Sequence, residues 1–237
     1  MPIRNIAATI VLLGATVPAM AEEAPKPWKG EAGLGVVATS GNTETTTVKA
    51  SAGVIYEKEQ WRHTGKFDAL NSSDAVRTTA ERYLLSGKSD YKFDELNYMF
   101  GSVGYESDRF AGFDYRLTEV LGYGRRVINQ SNLTLDLEAG PGARQTKFKT
   151  GDSDSELIGR VAGNLLWKLS PTASFTQNVT SDFGSKSTVT RSITALTAQV
   201  AGNLAMKLSF TARHISDVPV AAKKTDTETA VTLVYGF

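Results

Sequence analysis

A two-residue alternation of apolar and polar side chains runs through most of the chain and constrains its fold more than any other feature. Successive side chains of a β-strand point to opposite faces, so this period predicts strands with one apolar and one polar face. In the segment 133–143 the apolar face comprises Leu133, Leu135, Leu137, Ala139, Pro141 and Ala143. The same alternation recurs over 157–169 and 204–213, and in the final segment, where Val231, Leu233, Tyr235 and Phe237 share one face.

The pattern predicts about twelve strands and no helix longer than two turns. We expect them at roughly 28–39, 43–57, 61–73, 78–92, 98–108, 115–127, 133–148, 153–169, 173–182, 188–201, 204–216 and 225–237. Most are longer than the roughly 9–11 residues with which a tilted strand crosses the hydrocarbon of a membrane. Two segments fit the alternation poorly. Glu119 falls in phase with Leu117 and Leu121, which indicates either a β-bulge or a wrong face assignment, and the faces of 188–201 are ambiguous.

The first 21 residues have the pattern of a cleaved secretory signal peptide. Arg4 precedes an apolar run over 6–17, and Ala19-Met20-Ala21 provides a small-x-small cleavage site. The run is too short to span a bilayer core of about 30 Å as a helix. We therefore expect export through the Sec pathway, a short periplasmic segment at 22–27, and a single domain over 28–237.

Charge and cysteine content exclude several classes of protein. Only Arg4 is charged within 1–21, so removal of the signal lowers the basic count from 26 to 25, equal to the 25 acidic residues. This balance argues against nucleic-acid binding, which needs a basic surface. There is no cysteine and therefore no disulfide framework.

Two all-β architectures fit the alternation: a soluble β-sandwich with one solvated face, and a transmembrane barrel with an apolar exterior. The export signal and the aromatic Phe237 that ends the chain favour the second. We therefore predict an antiparallel up-and-down β-barrel of about 12 strands in the outer membrane of a Gram-negative bacterium. Its closing strand resembles the signal by which barrel-assembly machinery recognises its clients, which makes that machinery and outer-membrane lipids, including lipopolysaccharide, the expected partners.

Aromatic residues are expected to form belts at the two membrane interfaces. The predicted periplasmic belt comprises Trp28, Trp61, Trp167, Tyr56, Tyr91, Tyr98, Tyr235 and Phe237. The predicted opposite belt comprises Phe110, Phe113, Tyr115, Phe148 and Phe183. The short connections between strands fall on the side of the first belt, as transmembrane barrels require.

Several segments, in order along the chain, also resemble one known family. They are 33–47 (GLGVVATSGNTETTT), 79–83 (TAERY), 105–116 (YESDRFAGFDYR), 137–142 (LEAGPG), 216–219 (SDVP) and 224–229 (KTDTET). Together they resemble the domain-of-unknown-function 481 family, described as salt-induced outer membrane proteins. The resemblance implies an outer-membrane location and a role in salt or osmotic stress, and attaches no activity.

The polar faces place many charged residues inside the predicted barrel. They are Lys49, Lys66, Asp68, Arg82, Lys88, Asp136, Glu138, Arg144, Arg160, Lys168, Lys207, Arg213 and Glu228. Mixed charge at this density fits either a narrow pore for small solutes or a filled structural barrel whose ion pairs satisfy one another. We predict a porin-like or structural barrel of the cell envelope.

Enzymatic and adhesive functions are the alternatives. His214 and Ser216 lie two residues apart on a predicted lipid-facing strand face, which is the arrangement an acyl-ester hydrolase would need. Asp152, Asp154 and Glu156 could hold a divalent cation, although a solvated loop is the simpler interpretation. We predict no enzyme, cofactor or resident metal, and the extracellular loops leave adhesion as a further alternative.

Overall fold

A computed structural model describes residues 27–40, 45–73, 78–108, 113–218 and 223–237. They form twelve strands and no helix: β1 (Trp28–Ser40), β2 (Thr45–Lys58), β3 (Trp61–Ser73), β4 (Thr78–Lys92), β5 (Asn97–Asp108), β6 (Phe113–Asn129), β7 (Leu133–Phe148), β8 (Ser153–Ser170), β9 (Ala173–Gly184), β10 (Thr188–Ala201), β11 (Leu204–Ile215) and β12 (Thr225–Gly236). The predicted all-β fold and strand number are confirmed. The predicted signal peptide, most of the 22–27 segment and Phe110 lie outside the described residues.

The strands form a closed antiparallel barrel in which each pairs with its neighbours in sequence and β1 pairs with β12. The last pairing runs from Glu31 opposite Gly236 to Ser40 opposite Thr227. Beyond it, Gly30 and Phe237 exchange two backbone hydrogen bonds of 2.8 and 2.9 Å. Closure leaves no edge strand, which is the condition for a β-sheet to cross hydrocarbon.

The connections on the side of Trp28 and Phe237 are tight turns. Glu59 adopts a left-handed φ of 52° between β2 and β3, and Gly202 one of 51° between β10 and β11. Between β4 and β5, Asp94 accepts hydrogen bonds from the Asn97 side chain and from the backbone N–H groups of Leu96 and Asn97. These hydrogen bonds hold the pKa of Asp94 below its usual range, and the one from the Asn97 side chain has the largest effect. This end of the barrel corresponds to the periplasmic end of transmembrane barrels.

The outer surface is the apolar face of the alternation. Leu34, Leu121 and Leu157 are 66, 69 and 83% exposed, as expected of side chains that face lipid. In the ambiguous strand β10, Leu196 is exposed and Ala195 is buried, so the even-numbered positions face outward. No helix in the described part of the chain is long and apolar enough to cross a membrane.

Glu119 lies on this outer surface. The pairing of β6 with β5 and β7 is continuous across it, opposite Val103 and Ala143, so no bulge turns it inward. It is exposed, and it sits midway between Tyr115 and Tyr123 on the same face of β6. The alternation therefore placed Glu119 correctly, and both explanations offered for it, a bulge and a wrong face assignment, were wrong.

Aromatic side chains form a continuous band around the periplasmic end of β1–β4. Its successive ring centroids lie 4.5 Å apart for Trp28–Tyr56, 6.2 Å for Tyr56–His63, 5.6 Å for His63–Trp61 and 5.0 Å for Trp61–Tyr91. Trp167, Tyr235 and Phe237 are exposed at the same end of the barrel. Rings at this level are typical of membrane interfaces.

Tyr98 does not belong to this band, contrary to the prediction. Its ring points into the barrel, is 4% exposed, and donates a 2.7 Å hydrogen bond to Glu138. The reason lies on the next strand, where Tyr98 pairs with Gly124 and Phe100 with Gly122. A Cβ at Gly124 would lie 2.3 Å from the Tyr98 ring, and one at Gly122 would lie 2.6 Å from the Phe100 ring. The missing side chains of β6 make room for the rings of β5.

Phe113 is also interior rather than part of the opposite belt. It is 3% exposed, and the guanidinium of Arg116 lies 4.5 Å from its ring centroid. The register of β6 shifts between Phe113 and Tyr115, which turns Phe113 inward and leaves Tyr115 on the outer surface.

Glu119→Leu is expected to stabilise the barrel by about 1 kcal/mol, because a carboxylate that faces the hydrocarbon is unfavourable. Its cost is smaller than that of a lysine or an arginine at the same depth. The free energy of unfolding in urea, measured on protein folded into lipid vesicles, tests this. Glu138→Leu is the matched control inside the barrel and should destabilise, because it removes the acceptor of the Tyr98 hydroxyl and one of the two carboxylates that contact Lys88. Equal effects of the two changes would contradict an outward-facing Glu119.

Gly140→Ala is expected to destabilise the barrel by about 2–3 kcal/mol through overpacking. A Cβ at Gly140 would lie 2.1 Å from the backbone oxygen of Leu121, which no side-chain movement can relieve. Gly159→Ala is the control, since its Cβ would meet nothing within 4 Å. The folded fraction, read from heat-modifiable gel mobility, should fall for the first variant and stay unchanged for the second.

Candidate functional site: the charged barrel interior

Charged side chains fill much of the barrel interior and form the candidate site. The structure places on inward-facing strand positions all of the residues predicted there: Lys49, Lys66, Asp68, Arg82, Lys88, Asp136, Glu138, Arg144, Arg160, Lys168, Lys207, Arg213 and Glu228. Lys168 lies at the exposed periplasmic mouth rather than in the depth of the lumen. Most of the others divide into distinct groups.

The Glu106 cluster bridges the lumen from one wall to the other. Glu106 lies on β5, and the Arg213 guanidinium of β11 donates to it, with 2.9 Å between Nη1 and Oε1. Five strands separate β5 and β11 in either direction around the barrel, so this pair spans its full width. Arg191 of β10 approaches the same carboxylate at 3.8 Å.

Glu228 on β12 organises a second group beside the first. It accepts hydrogen bonds from Arg82 and from Lys49, the latter at 3.0 Å. Lys49 also lies 3.3 Å from Asp68. Arg82 acts electrostatically on both Glu228 and Glu106, so the two groups form one ionic layer toward the extracellular ends of their strands.

A separate network lies near the periplasmic ends of β3–β7. Asp90 is 1% exposed and is paired with Arg62 at 2.6 Å and Lys88 at 3.0 Å. Lys88 also contacts Glu138, which accepts the hydroxyl of Tyr98. The ammonium of Lys88 lies 4.8 Å from the Phe100 ring centroid, so ions and rings pack together against this wall.

Other ion pairs join adjacent strands and stay close to the wall. Arg160 binds Asp182 through two hydrogen bonds of 2.6 and 2.7 Å, and Arg126 binds Asp136 in the same way. Arg144 contacts Glu156 and the backbone oxygen of Ser187. Pairs of this kind satisfy charges inside the barrel without crossing the lumen.

The wall formed by β9–β12 carries many small side chains beside the buried Asp182, Arg213 and Glu228. Its inward positions include Ser174, Thr176, Asn178, Thr180, Ala195, Thr197, Ser209 and Thr211. Most are half-buried, whereas Asp90, Tyr98 and Phe100 opposite are almost fully buried. Lys207 on β11 and Asp68 on β3 keep 33 and 35% of their side-chain surface accessible.

Sequence reasoning missed several members of these clusters. Glu106, Arg191, Arg62 and Asp90 were not among the predicted lumen residues, although Glu106 alternates in phase with Ser102 and Gly104. That phase could have identified it. Its partner Arg213 was predicted to face inward, but nothing local indicates that residues 107 positions apart meet.

The candidate enzyme and cation residues do not converge. His214 shares a 2.9 Å hydrogen bond with Thr225, whereas the Ser216 hydroxyl accepts the backbone N–H of Thr188. Asp154 pairs with Lys186 and Glu156 with Arg144, so these carboxylates are bound to cations of the chain. Within the described ranges, no three His, Asp or Glu side chains are grouped to hold a metal ion.

Comparison with known proteins identifies the family. The profile of the proteins of unknown function DUF481 matches residues 32–237. The chain belongs to this family. A relative is the uncharacterized protein YdiY of Escherichia coli (strain K12), 29% identical over 215 residues, which covers 90% of this chain and 84% of the relative.

Solved structures similar to this family member are outer-membrane barrels. The NanC porin matches with a TM-score of 0.59 and 9% identity over 86% of this chain and 98% of its own. An outer membrane channel from Pseudomonas putida F1 matches with a TM-score of 0.56 and 11% identity, covering 93 and 99%. The KdgM porin in complex with disordered oligogalacturonate matches with a TM-score of 0.51 and 10% identity, covering 87 and 99%. The fold is that of a porin-like outer-membrane barrel.

Arg213→Met is expected to lower the free energy of unfolding by about 3 kcal/mol, because it leaves the buried Glu106 carboxylate without its principal partner. The double variant Glu106→Gln, Arg213→Met should recover part of that loss, since neither member of the pair then carries a charge and only Arg191 has lost the carboxylate. Urea unfolding in vesicles measures both. Lys186→Met is the control: it breaks an exposed pair with Asp154 and should cost about 1 kcal/mol or less. Additive losses in the double variant would contradict the coupling.

Proposed function

We propose that this protein is a narrow outer-membrane passage for small anionic solutes, with the Glu106 cluster as its constriction. The single observation that carries the proposal is the Glu106–Arg213 pair, which spans the barrel from β5 to β11. A solute that crosses the barrel must pass this layer.

The charge of the constriction supports the choice of solute. Arg82, Arg116, Arg191 and Arg213 all act electrostatically on Glu106. Glu106 and Glu228 are the carboxylates that directly contact three of these arginines. Because cations outnumber anions around the narrowest point, a small anion would be attracted there and a cation repelled.

The similar solved structures include one with a ligand of this class. One of them holds oligogalacturonate, which is a polyanion. At 10% identity the similarity carries the fold and not the residues of the lumen. It therefore supports the proposal only as an example of an anionic ligand in a barrel of this architecture.

A filled structural barrel is the second candidate, and the same crossing pair favours it. If the ion pairs hold the interior closed at all times, the barrel acts as a rigid envelope component without transport. The two candidates differ in one measurable property, the ionic current through a single barrel.

The location and assembly route are part of the proposal. We propose that the protein resides in the outer membrane after Sec export, with the turn at Asp94 on the periplasmic side. The barrel-assembly machinery would engage β12, and lipopolysaccharide and phospholipids would surround the apolar exterior. The role in salt stress stays a prediction from the family resemblance.

Planar-bilayer recording tests the passage. The unmodified protein should give small, discrete, anion-selective conductance steps. Glu106→Gln should raise both conductance and anion selectivity, because it removes the carboxylate that holds Arg191 and Arg213 in the lumen. Arg126→Gln is the control, since its pair with Asp136 lies near the periplasmic wall.

Two results would overturn the proposal. Absence of current from both the unmodified protein and the Glu106→Gln variant would establish the filled barrel instead. Cation-selective steps would contradict the assigned solute class while leaving the passage itself intact.

A further inference from the structure

A groove on the outer surface of β2–β5 interrupts the apolar exterior. Its volume is about 630 Å³. The floor is formed by Gly65, Gly87 and Gly101, which lie on three adjacent strands. Gly65 is directly opposite Gly87. Gly101 is opposite Ser89, which is the next outward-facing residue after Gly87 on β4. At the level of Gly65 and Gly87 two adjacent strands carry no outward side chain, and Val54 and Val103 stand on either side. With a strand spacing of about 4.8 Å, this leaves a trough about 10 Å across.

The walls of the groove are apolar. Val54 on β2 and Val103 on β5 stand on either side, 39 and 46% exposed. A Cβ at Gly65 would be 3.3 Å from Val54, and one at Gly87 would be 3.6 Å from Val103. A slender apolar group would therefore contact both walls and the bare backbone between them.

The periplasmic end of the groove is polar and aromatic. His63 and Ser89 share a 2.9 Å hydrogen bond on the outer face. The imidazole is stacked between Tyr56 and Trp61, within the band of rings that continues to Trp28 and Tyr91. Aromatic belts lie at the level of lipid headgroups and glycerol, so this end of the groove lies at the boundary of the hydrocarbon.

The His63–Ser89 pair keeps one hydrogen available for a ligand in either tautomer. A neutral imidazole and a hydroxyl carry one hydrogen each, and their mutual bond uses one of the two. If Ser89 donates to Nδ1, the Nε2–H of His63 remains; if Nδ1–H donates, the Ser89 hydroxyl remains. The pair therefore presents one donor to an acceptor at the mouth of the groove.

We propose that this groove binds a phospholipid of the periplasmic leaflet, with one acyl chain on the glycine floor and an ester carbonyl at His63 and Ser89. The floor and walls match a saturated hydrocarbon chain in shape and polarity. The remaining donor matches the ester carbonyl, which lies next to the hydrocarbon in every glycerophospholipid. Tyr56 and Trp61 flank the glycerol and hold the imidazole in position.

Photo-crosslinking in detergent tests the site. The folded full-length barrel is prepared in dodecylmaltoside micelles with a trace of phosphatidylethanolamine that carries a diazirine on its acyl chain. Under these conditions lipid that merely surrounds the barrel is diluted by detergent. Crosslinks mapped by mass spectrometry should concentrate in peptides that contain Gly65, Gly87 and Val103, relative to peptides from the outer face of β8.

Two substitutions address the floor and the donor separately. Gly87→Leu should abolish the enrichment by filling the trough, whereas Gly159→Leu, on the outer face of β8 where a Cβ meets nothing within 4 Å, should leave it unchanged. His63→Phe with Ser89→Ala keeps a ring in the stack and removes the donor. Loss of one hydrogen bond should reduce the enrichment by about fivefold.

Specific outcomes would overturn the proposal. Equal labelling of the groove and of the β8 face in the unmodified protein would show that no lipid is selectively held. A dimer that disappears in Gly87→Leu, with labelling unchanged, would show that a second copy of the chain occupies the groove. Heat-modifiable mobility of every variant establishes that each is folded before it is compared.

Discussion

Closure of the sheet by β1 and β12 is the constraint on which the rest of this structure depends. Each backbone N–H and C=O within hydrocarbon needs a partner, and only a closed ring of strands provides one on both sides of every strand. Once Gly30 and Phe237 complete that ring, each strand has one face toward lipid and one toward a confined interior. The interior volume is then set by strand number and stagger, and the side chains must fill it or leave a passage.

The interior of this barrel is filled asymmetrically. Near β3–β7, Tyr98 and Phe100 pack with Lys88, Asp90 and Glu138 into a dense wall. Near β9–β12 many inward side chains are short and half-buried, and the buried charged ones are Asp182, Arg213 and Glu228. The Glu106–Arg213 pair joins the two sides. Charges removed from water are costly unless they are paired. The Glu106–Arg213 pair therefore stabilises the barrel and, at the same time, restricts its lumen.

Glycine has two different uses in this barrel. Inside, Gly122 and Gly124 on β6 receive the rings of β5, and Gly140 permits close approach of β7 to the β6 backbone. Outside, Gly65 and Gly87 leave the surface open between Val54 and Val103. In both places a missing side chain creates space for an apolar group, a protein ring in one case and, by our proposal, a lipid chain in the other.

The sequence by itself determined the twelve strands, their approximate bounds and the faces of most of them, because a period of two is a local property that each strand displays independently. The faces of β10 were left to the structure. The sequence put Glu119 in phase with the apolar face, but both explanations offered for that charge, a bulge and a wrong face assignment, were wrong. It misplaced Tyr98, since an aromatic residue at the start of a strand fits either an interface belt or an interior cluster, and only the paired glycine of β6 decides between them. It could not connect Glu106 with Arg213, because which inward residues meet across a lumen depends on the stagger of strands that are distant in sequence. The tertiary structure alone decided those contacts, and with them where the barrel is narrow.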